Sequence, residues 1–282
     1  SSEVDAKGGA AVYVSDYSAD TVTVFSSAGK QTAQATGFSY PEGVTGASDG
    51  DIYVANTGVS AIEVYSAGLK KLVATLSDTG NYPSDASVDT KTGAVGVANI
   101  SATSGAAGSV TFFAKGATTP CATVTASNWN EVYFAAFDAQ GDLYIDGFDS
   151  NDNVLVGVVN GGCKATKITT LAGAKIKYPG GIQIAASGDI LIDDQSAATV
   201  YTYKPPVKNK FGSPVATTPL SGAGDPVAIS LNSTSKDVYD ADGSLLEAQE
   251  FAYPKGGAAL QSFVPSGATY TLGVFVTPDS QP

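Results

Sequence analysis

The sequence predicts an all-β protein, a six-bladed β-propeller closed by one C-terminal strand plus three N-terminal strands. Three observations predict it. First, the unit Tyr40-Pro41-Glu42-Gly43-Val44, Ser48-Asp49-Gly50-Asp51-Ile52-Tyr53-Val54-Ala55-Asn56 and Ile62-Glu63-Val64-Tyr65 returns with its spacing kept. Its second copy reads Tyr178-Pro179-Gly180-Gly181-Ile182, Ser187-Gly188-Asp189-Ile190-Leu191-Ile192-Asp193-Asp194 and Val200-Tyr201-Thr202-Tyr203. Second, unit starts fall at Tyr40, Tyr82, Glu131, Tyr178 and Asp225; periods of roughly 40 to 50 residues with about four short strands each mark a propeller. Third, a sixth start at Tyr270 supplies one strand just before the chain ends, while residues 11–39 read as three strands with the first one missing. The two ends complete one blade.

In chain order, residues 1–10 form a polar N-terminal arm in which Val4 is the only sizeable apolar residue. Residues 11–282 form a single propeller domain. Alternating β-branched residues predict strands from Ala11 to Ser15, Thr21 to Phe25 and Gln31 to Thr36, separated by turn residues. Blades then cover about 40–81, 82–130, 131–177, 178–224 and 225–269, and 270–282 joins 11–39. Leu69 to Leu76 follows a strand and a turn and is assigned to an outermost strand rather than a helix. The dipeptides Gly50-Asp51, Gly141-Asp142 and Gly188-Asp189 stand where a hairpin needs a positive φ. Asp16, Asn56, Asn99, Asp194 and Asp242 recur at the end of the second strand, with Gly147 in the remaining blade; their side chains are expected to satisfy turn amides. Tyr40, Tyr82, Tyr178 and Tyr270 share one repeated position and are expected to pack between blades.

Composition restricts the function. All 15 basic residues are lysine against 27 acidic ones, for a net charge of −12. Binding nucleic acid takes a clustered basic face, with Arg favoured for reading bases, so nucleic acid is not an expected partner. No apolar run approaches the roughly 20 residues that span a bilayer. The chain has no Met, so Ser1 is not a translation start; a removed N-terminal signal and an extracellular or periplasmic location are expected. Cys121 and Cys163 are expected to pair in such a compartment. Two separate thiols are the alternative if both begin outer strands of neighbouring blades, because a disulfide spans only about 7 Å between Cα atoms.

The quoted unit Tyr-Pro-x-Gly-Val, Gly-Asp-Ile-Tyr-Val-Ala-Asn and Ile-Glu-Val-Tyr resembles the NHL repeat over essentially the whole chain. More distantly the chain is similar to six-bladed propellers of the regucalcin and gluconolactonase group. That resemblance implies a divalent metal, usually calcium, held by acidic and amide side chains at the mouth of the central channel. The third position of the Tyr-Pro-x-Gly unit is Glu42, Ser84, Tyr133, Gly180, Val227 and Leu272 in turn, which makes Glu42, Ser84 and Tyr133 candidate ligand-binding residues. One carboxylate in six is a poor calcium collar, since the ion takes about six to eight oxygens. A shift of one residue adds Asp85, Glu131 and Asp225, so the candidate metal set is Glu42, Asp85, Glu131 and Asp225.

With no His in the chain, no His-assisted nucleophile, His base or His metal ligand exists. Asp146, Asp149, Asn151, Asp152 and Asn153 share one turn, which is either a calcium loop without the EF-hand glycine and glutamate or a solvated turn. Asn99-Ile100-Ser101 and Asn232-Ser233-Thr234 fit the glycan acceptor pattern. The expected function is a secreted, non-catalytic binding or structural module. Its expected partner is a protein, a carbohydrate or other copies of itself in a surface assembly, and no cofactor is expected. The alternative is a calcium-dependent lactonase or other hydrolase at the channel mouth.

Overall fold

A computed structural model describes residues 11–279, and the expected N-terminal arm lies outside the described residues. The described residues contain no α-helix, only four three-residue 3₁₀ turns. Six antiparallel sheets follow the repeat. Blade 1 is Pro41–Gly46, Ile52–Asn56, Ala61–Tyr65 and Leu72–Ser77; blade 2 is Asn81–Val88, Val95–Ala102, Ala107–Phe113 and Ala122–Val124. Blade 3 is Glu131–Phe137, Leu143–Phe148, Val154–Val159 and Thr169–Leu171; blade 5 is Pro226–Leu231, Asp237–Asp242, Glu247–Ala252 and Gln261–Phe263. Blade 4 is Pro179–Ile184, Ile190–Asp194, Thr199–Tyr203 and Ala216–Ser221, extended by a parallel fifth strand, Gly257–Ala258. That extra strand was not expected. It comes from the long connection of blade 5, where Gly256 and Gly257 take φ of 65° and 111° and bring the backbone against Pro219.

Blade 6 closes the ring as expected. Thr271–Thr277 pairs with Ala11–Asp16, placing Val14 opposite Val274 and Tyr13 opposite Phe275, and Thr21–Ser26 and Gln31–Thr36 complete the sheet. Each blade buries alternating Val, Ile and Phe against its neighbours, so the apolar core lies between sheets. Hydroxyl groups tie successive blades: Thr57 donates to the carbonyl of Pro83 at 2.7 Å, and Ser84 to that of Tyr133 at 2.7 Å. The innermost strands crowd the axis so closely that a Cβ on Gly181 would stand 2.3 Å from the amide nitrogen of Ile229. Only about 40 Å3 of axial cavity remains, and the centre is a packed wall rather than a tunnel.

The Asx positions act as expected in four blades. Asn56 accepts the amide N–H of Ser39, Asp194 those of Lys177 and Tyr178, Asp242 those of Gly224 and Asp225, and Asp16 that of Tyr270. Each one fastens the residues entering its own blade. Asn99 departs from the pattern: its side chain turns inward and donates to Ser109 and Thr111, while Asp78 holds the blade 2 entry through Asn81. Asn99 is fully buried, so the folded chain offers no amide there for a glycan. Asn232 sits in a surface hairpin, where its amide donates to Asp237 at 2.8 Å.

A disulfide joins Cys121 and Cys163, with Cα atoms 5.1 Å apart. Cys121 precedes the outer strand of blade 2, whereas Cys163 lies in the 3₁₀ turn Gly162–Lys164 beyond the third strand of blade 3. The second cysteine is therefore in a connection rather than at an outer-strand start, which brings the two together. The bond closes a loop of sequence separation 42, for which loop entropy gives an upper value of about 4 kcal/mol. The double variant Cys121→Ser/Cys163→Ser is expected to keep its β-rich circular dichroism and lose about 2 to 4 kcal/mol of unfolding free energy in denaturant titrations. An unchanged midpoint would remove the bond from the stability of the fold.

Candidate functional site

The repeated Tyr-Pro-x-Gly unit has one local consequence in every blade. The inner strand slips register just after its entry: between Pro41 and Val44, Pro83 and Asp85, Val132 and Ala135, Pro179 and Ile182, and Pro226 and Ala228. The partner of the C-terminal strand slips between Ser15 and Asp16, opposite Leu272. A bulge leaves a residue unpaired and re-aims its side chain. The third-position residues are the ones left unpaired.

Five of the six third-position residues, all but Gly180, line one cavity of about 310 Å3 at the channel mouth. Glu42, Ser84 and Tyr133 thus come together there, with Tyr17, Tyr178 and Tyr270 around them. Ser84 contributes little to a ligand, because its hydroxyl is buried against the backbone of blade 3. Tyr133 donates its hydroxyl to Glu131 at 2.9 Å.

The repeated tyrosines touch neighbouring blades, Tyr40 meeting Tyr17 of blade 6 and Tyr178 meeting Phe148 of blade 3, but they are not buried between them. Tyr40, Tyr82, Tyr178 and Tyr270 are 49%, 39%, 41% and 38% exposed and stand up from the mouth face. The entry position directs them outward because the following Pro already occupies the buried site in Pro41, Pro83 and Pro179. Tyr17 lies 4.8 Å from Tyr40 and 6.4 Å, edge-on, from Tyr270. On the opposite side Phe148 meets Tyr133 at 5.8 Å and Tyr178 at 5.2 Å, both edge-on. Two aromatic rows flank the opening.

Of the four residues in the candidate metal set, only Glu42 and Asp85 adjoin. A Cβ on Gly43 would strike the Asp85 carboxylate, and Asp85 bears electrostatically on Glu42. Glu131 is engaged by Tyr133, and Asp225 faces Asp242 in blade 5. Among the described residues no three acidic or cysteine side chains converge in a way that could hold a metal ion. Burial pushes Glu42 up to about 8, against the lowering influence of the nearby Thr57 hydroxyl and with the charge of Asp85 adding to the rise. Burial likewise pushes Asp85 up to about 7, offset in part by the amide N–H groups of Ala135 and Ala86. In the turn at residues 149–153, Asp149 accepts the side-chain amide of Asn153 and the backbone N–H groups of Asn153 and Asn151, which hold its carboxyl below the usual range, while Asp146 points into the core.

Asp146 belongs to a feature that the motif reading missed. Asp146, Asp193 and Asp240, in the second strands of blades 3, 4 and 5, are fully buried, and burial drives each carboxyl well above the usual carboxylate range. Neither oxygen of Asp193 or Asp240 meets a hydrogen-bond partner. Asp85 bears on Asp146, Asp146 on Asp193, and Asp193 on Asp240, so the acids form an electrostatic chain through the inner wall. The signal was available: a single Asp inside an apolar strand, as in Ile190-Leu191-Ile192-Asp193, is either paired or neutral.

No protein-family model matches the chain, and no curated protein does. Solved structures do match. A chain of the crystal structure of the nidogen/laminin complex aligns with a TM-score of 0.74 at 14% identity, covering 97% of this chain and 100% of that one. The shared fold is a six-bladed β-propeller. The hydrazine synthase of Kuenenia stuttgartiensis aligns with a TM-score of 0.60 at 13% identity over 85% of this chain and 72% of that one. Streptogramin B lyase aligns with a TM-score of 0.58 at 12% identity over 91% and 74%. Chains from a protein complex and from two enzymes align with this propeller, so the fold alone does not select a chemistry.

In the unfolded chain the buried acids titrate near pH 4, and in the folded chain they hold their protons to higher pH. The stability they contribute is therefore fully present below about pH 4 and is lost as pH rises through their folded values. Unfolding free energy is expected to fall between pH 5 and pH 8. Asp240→Asn, which is neutral at every pH, should flatten that slope and raise stability at pH 8 by about 1 kcal/mol or more. Denaturant titrations at the two pH values decide it, and a parallel slope in the variant would show that Asp240 is charged in the fold.

Proposed function

We propose that this chain is a non-catalytic binding module of the NHL-repeat type that works outside the cytoplasm. It engages a protein or carbohydrate partner through the face around the channel mouth. The observation that carries this reading is the pair of exposed aromatic rows flanking a cavity of about 310 Å3 on an otherwise symmetric scaffold. Aromatic side chains with an apolar body and a polar tip are enriched at recognition surfaces. The similarity to a chain of the nidogen/laminin complex is in keeping with a propeller that binds protein. A disulfide suits an oxidising compartment. Linkage of copies into a surface assembly is a variant of the same reading, and light scattering of purified material reads it directly.

One observation favours a second reading. Glu42 at the mouth adjoins Asp85 in the axial wall beneath it, with both carboxyls raised toward neutrality, as an acid and base pair would be. A calcium-dependent lactonase or other hydrolase would use that pair.

Arrays of oligosaccharides and of random peptides, probed with the wild type and with Tyr40→Ala/Tyr178→Ala/Tyr270→Ala, separate the two. The binding reading expects at least one ligand class to be retained by the wild type and weakened about tenfold or more in the triple variant, at unchanged melting temperature. It also expects no turnover of lactone or ester substrates with or without calcium. Calcium-dependent turnover abolished by Glu42→Gln would establish the hydrolase instead.

A further inference from the structure

The chemistry of the mouth narrows the ligand class, on the reading that the mouth is a binding surface. Its lining holds four tyrosines, Tyr17, Tyr133, Tyr178 and Tyr270, one carboxylate, Glu42, and no basic side chain. The phenols of Tyr17, Tyr133 and Tyr270 all lie within electrostatic range of Glu42. Phe148 stands edge-on to both Tyr133 and Tyr178, at 87° and 76°, which fixes the tilt of those rings. The hydroxyl of Tyr133 donates to the Glu131 carboxylate, and a phenol so engaged is richer in electron density on its ring face.

Several hydrogen-bonding groups of the lining are already engaged, which leaves the phenols of Tyr17, Tyr178 and Tyr270 and the Glu42 carboxyl to read a ligand. Ser84 is committed to the backbone carbonyl of Tyr133, Tyr133 to Glu131, and the Gln195 amide nitrogen to the carbonyl of Pro179. A calcium ion would find one carboxylate where it takes about six to eight oxygens. Electron-rich rings around one buried carboxyl suit a weakly hydrated organic cation: burial holds the Glu42 proton up to about pH 8, and a cation seated on the ring faces favours the ionised form, so the counter-charge forms, with release of that proton, as the cation binds. The net charge of −12 favours the approach of a cation to the molecule.

We propose that the mouth cavity is a recognition site for an alkylammonium group, with Tyr17, Tyr133, Tyr178 and Tyr270 supplying ring faces and Glu42 the counter-charge. Both a lysine side chain and a quaternary ammonium headgroup carry this chemistry.

The test titrates the purified protein, by calorimetry and tyrosine fluorescence, with three probes. These are choline, Nα-acetyl-lysine N-methylamide, and 3,3-dimethylbutan-1-ol, the uncharged isostere of choline. At least one cation is expected to bind about tenfold or more tightly than the alcohol, and the better of the two tells a headgroup from a side chain. Glu42→Gln is expected to remove most of that preference while leaving the alcohol unchanged, and Tyr178→Leu/Tyr270→Leu to weaken both cations about tenfold. Both tyrosines are well exposed, and a melting curve checks that the variant is folded. Equal binding of cation and alcohol, no binding of either cation, or a preference that survives Glu42→Gln overturns the proposal. If an array ligand is still lost in the tyrosine variants while the cations show no preference, the binding reading stands and only the cation assignment falls.

Discussion

The pairing of Thr271–Thr277 with Ala11–Asp16 is the contact on which the ring depends. It joins residues more than 250 positions apart, with Val14 against Val274 and Val12 against Val276 at the bottom of the core. Without it, blade 6 would lack its inner strand, and the flanking inner strands Pro226–Leu231 and Pro41–Gly46 would lose the neighbour they pack on. Closure also sets how near the inner strands come to the axis. Around a ring of six there is room for a strand's backbone but little for side chains, which is why a Cβ on Gly273 would collide with the carbonyl of Glu42. The glycine in Tyr-Pro-x-Gly is a consequence of closing the ring.

The same crowding produces the mouth. A regular inner strand would alternate its side chains between the two adjoining blades, leaving none for the axial opening. The slip after Pro41, Pro83, Val132, Pro179 and Pro226 releases one or two residues per blade from the ladder, and in every blade but that of Gly180 the third-position side chain among them lines the opening. Deeper in the wall, where no bulge lets a side chain out, Asp146, Asp193 and Asp240 stay enclosed and are stable only as neutral acids.

The blade period was legible because each blade must solve the same packing problem, and the same solution recurs as Tyr-Pro-x-Gly and Gly-Asp. Gly50, Gly141 and Gly188 have the positive φ that the hairpin requires. The collar was legible for the same reason, since a bulged position is fixed by the repeat. What a period does not carry is direction. Tyr40 and Tyr178 recur, yet whether they enter an interface or leave it depends on the Pro that follows and on the neighbouring blade. Asn99 occupies the Asx position in sequence but not in function, because Asp78, outside the repeated set, already holds that entry. The Cys121–Cys163 pairing was legible from the cysteine count, but not that Cys163 stands in a 3₁₀ turn before the outer strand of blade 3, which is what brings it within reach of Cys121. Asp193 and Asp240 hid behind the Asx residues beside them.

A scaffold of six similar blades can bind an asymmetric ligand only where the blades differ. The Asx caps and hairpin glycines are nearly alike from blade to blade and carry architecture. The bulged position is Glu, Ser, Tyr, Gly, Val and Leu in turn, six residues at one structural address. The carboxyl is confined to blade 1, the aromatic ring in the collar to blade 3, and blades 5 and 6 present aliphatic side chains. A ligand centred on the axis would therefore be drawn off it, toward Glu42 and away from Val227 and Leu272. The rings follow that bias: Tyr17 and Tyr40 pack together beside blade 1, whereas blade 5 has Asp225 at the entry position where four other blades carry Tyr. The departures from the repeat put one carboxyl in blade 1, between an aromatic row at blades 6 and 1 and another at blades 3 and 4, and it is this inequality among the blades that makes the mouth a site rather than the hole left at the middle of a ring.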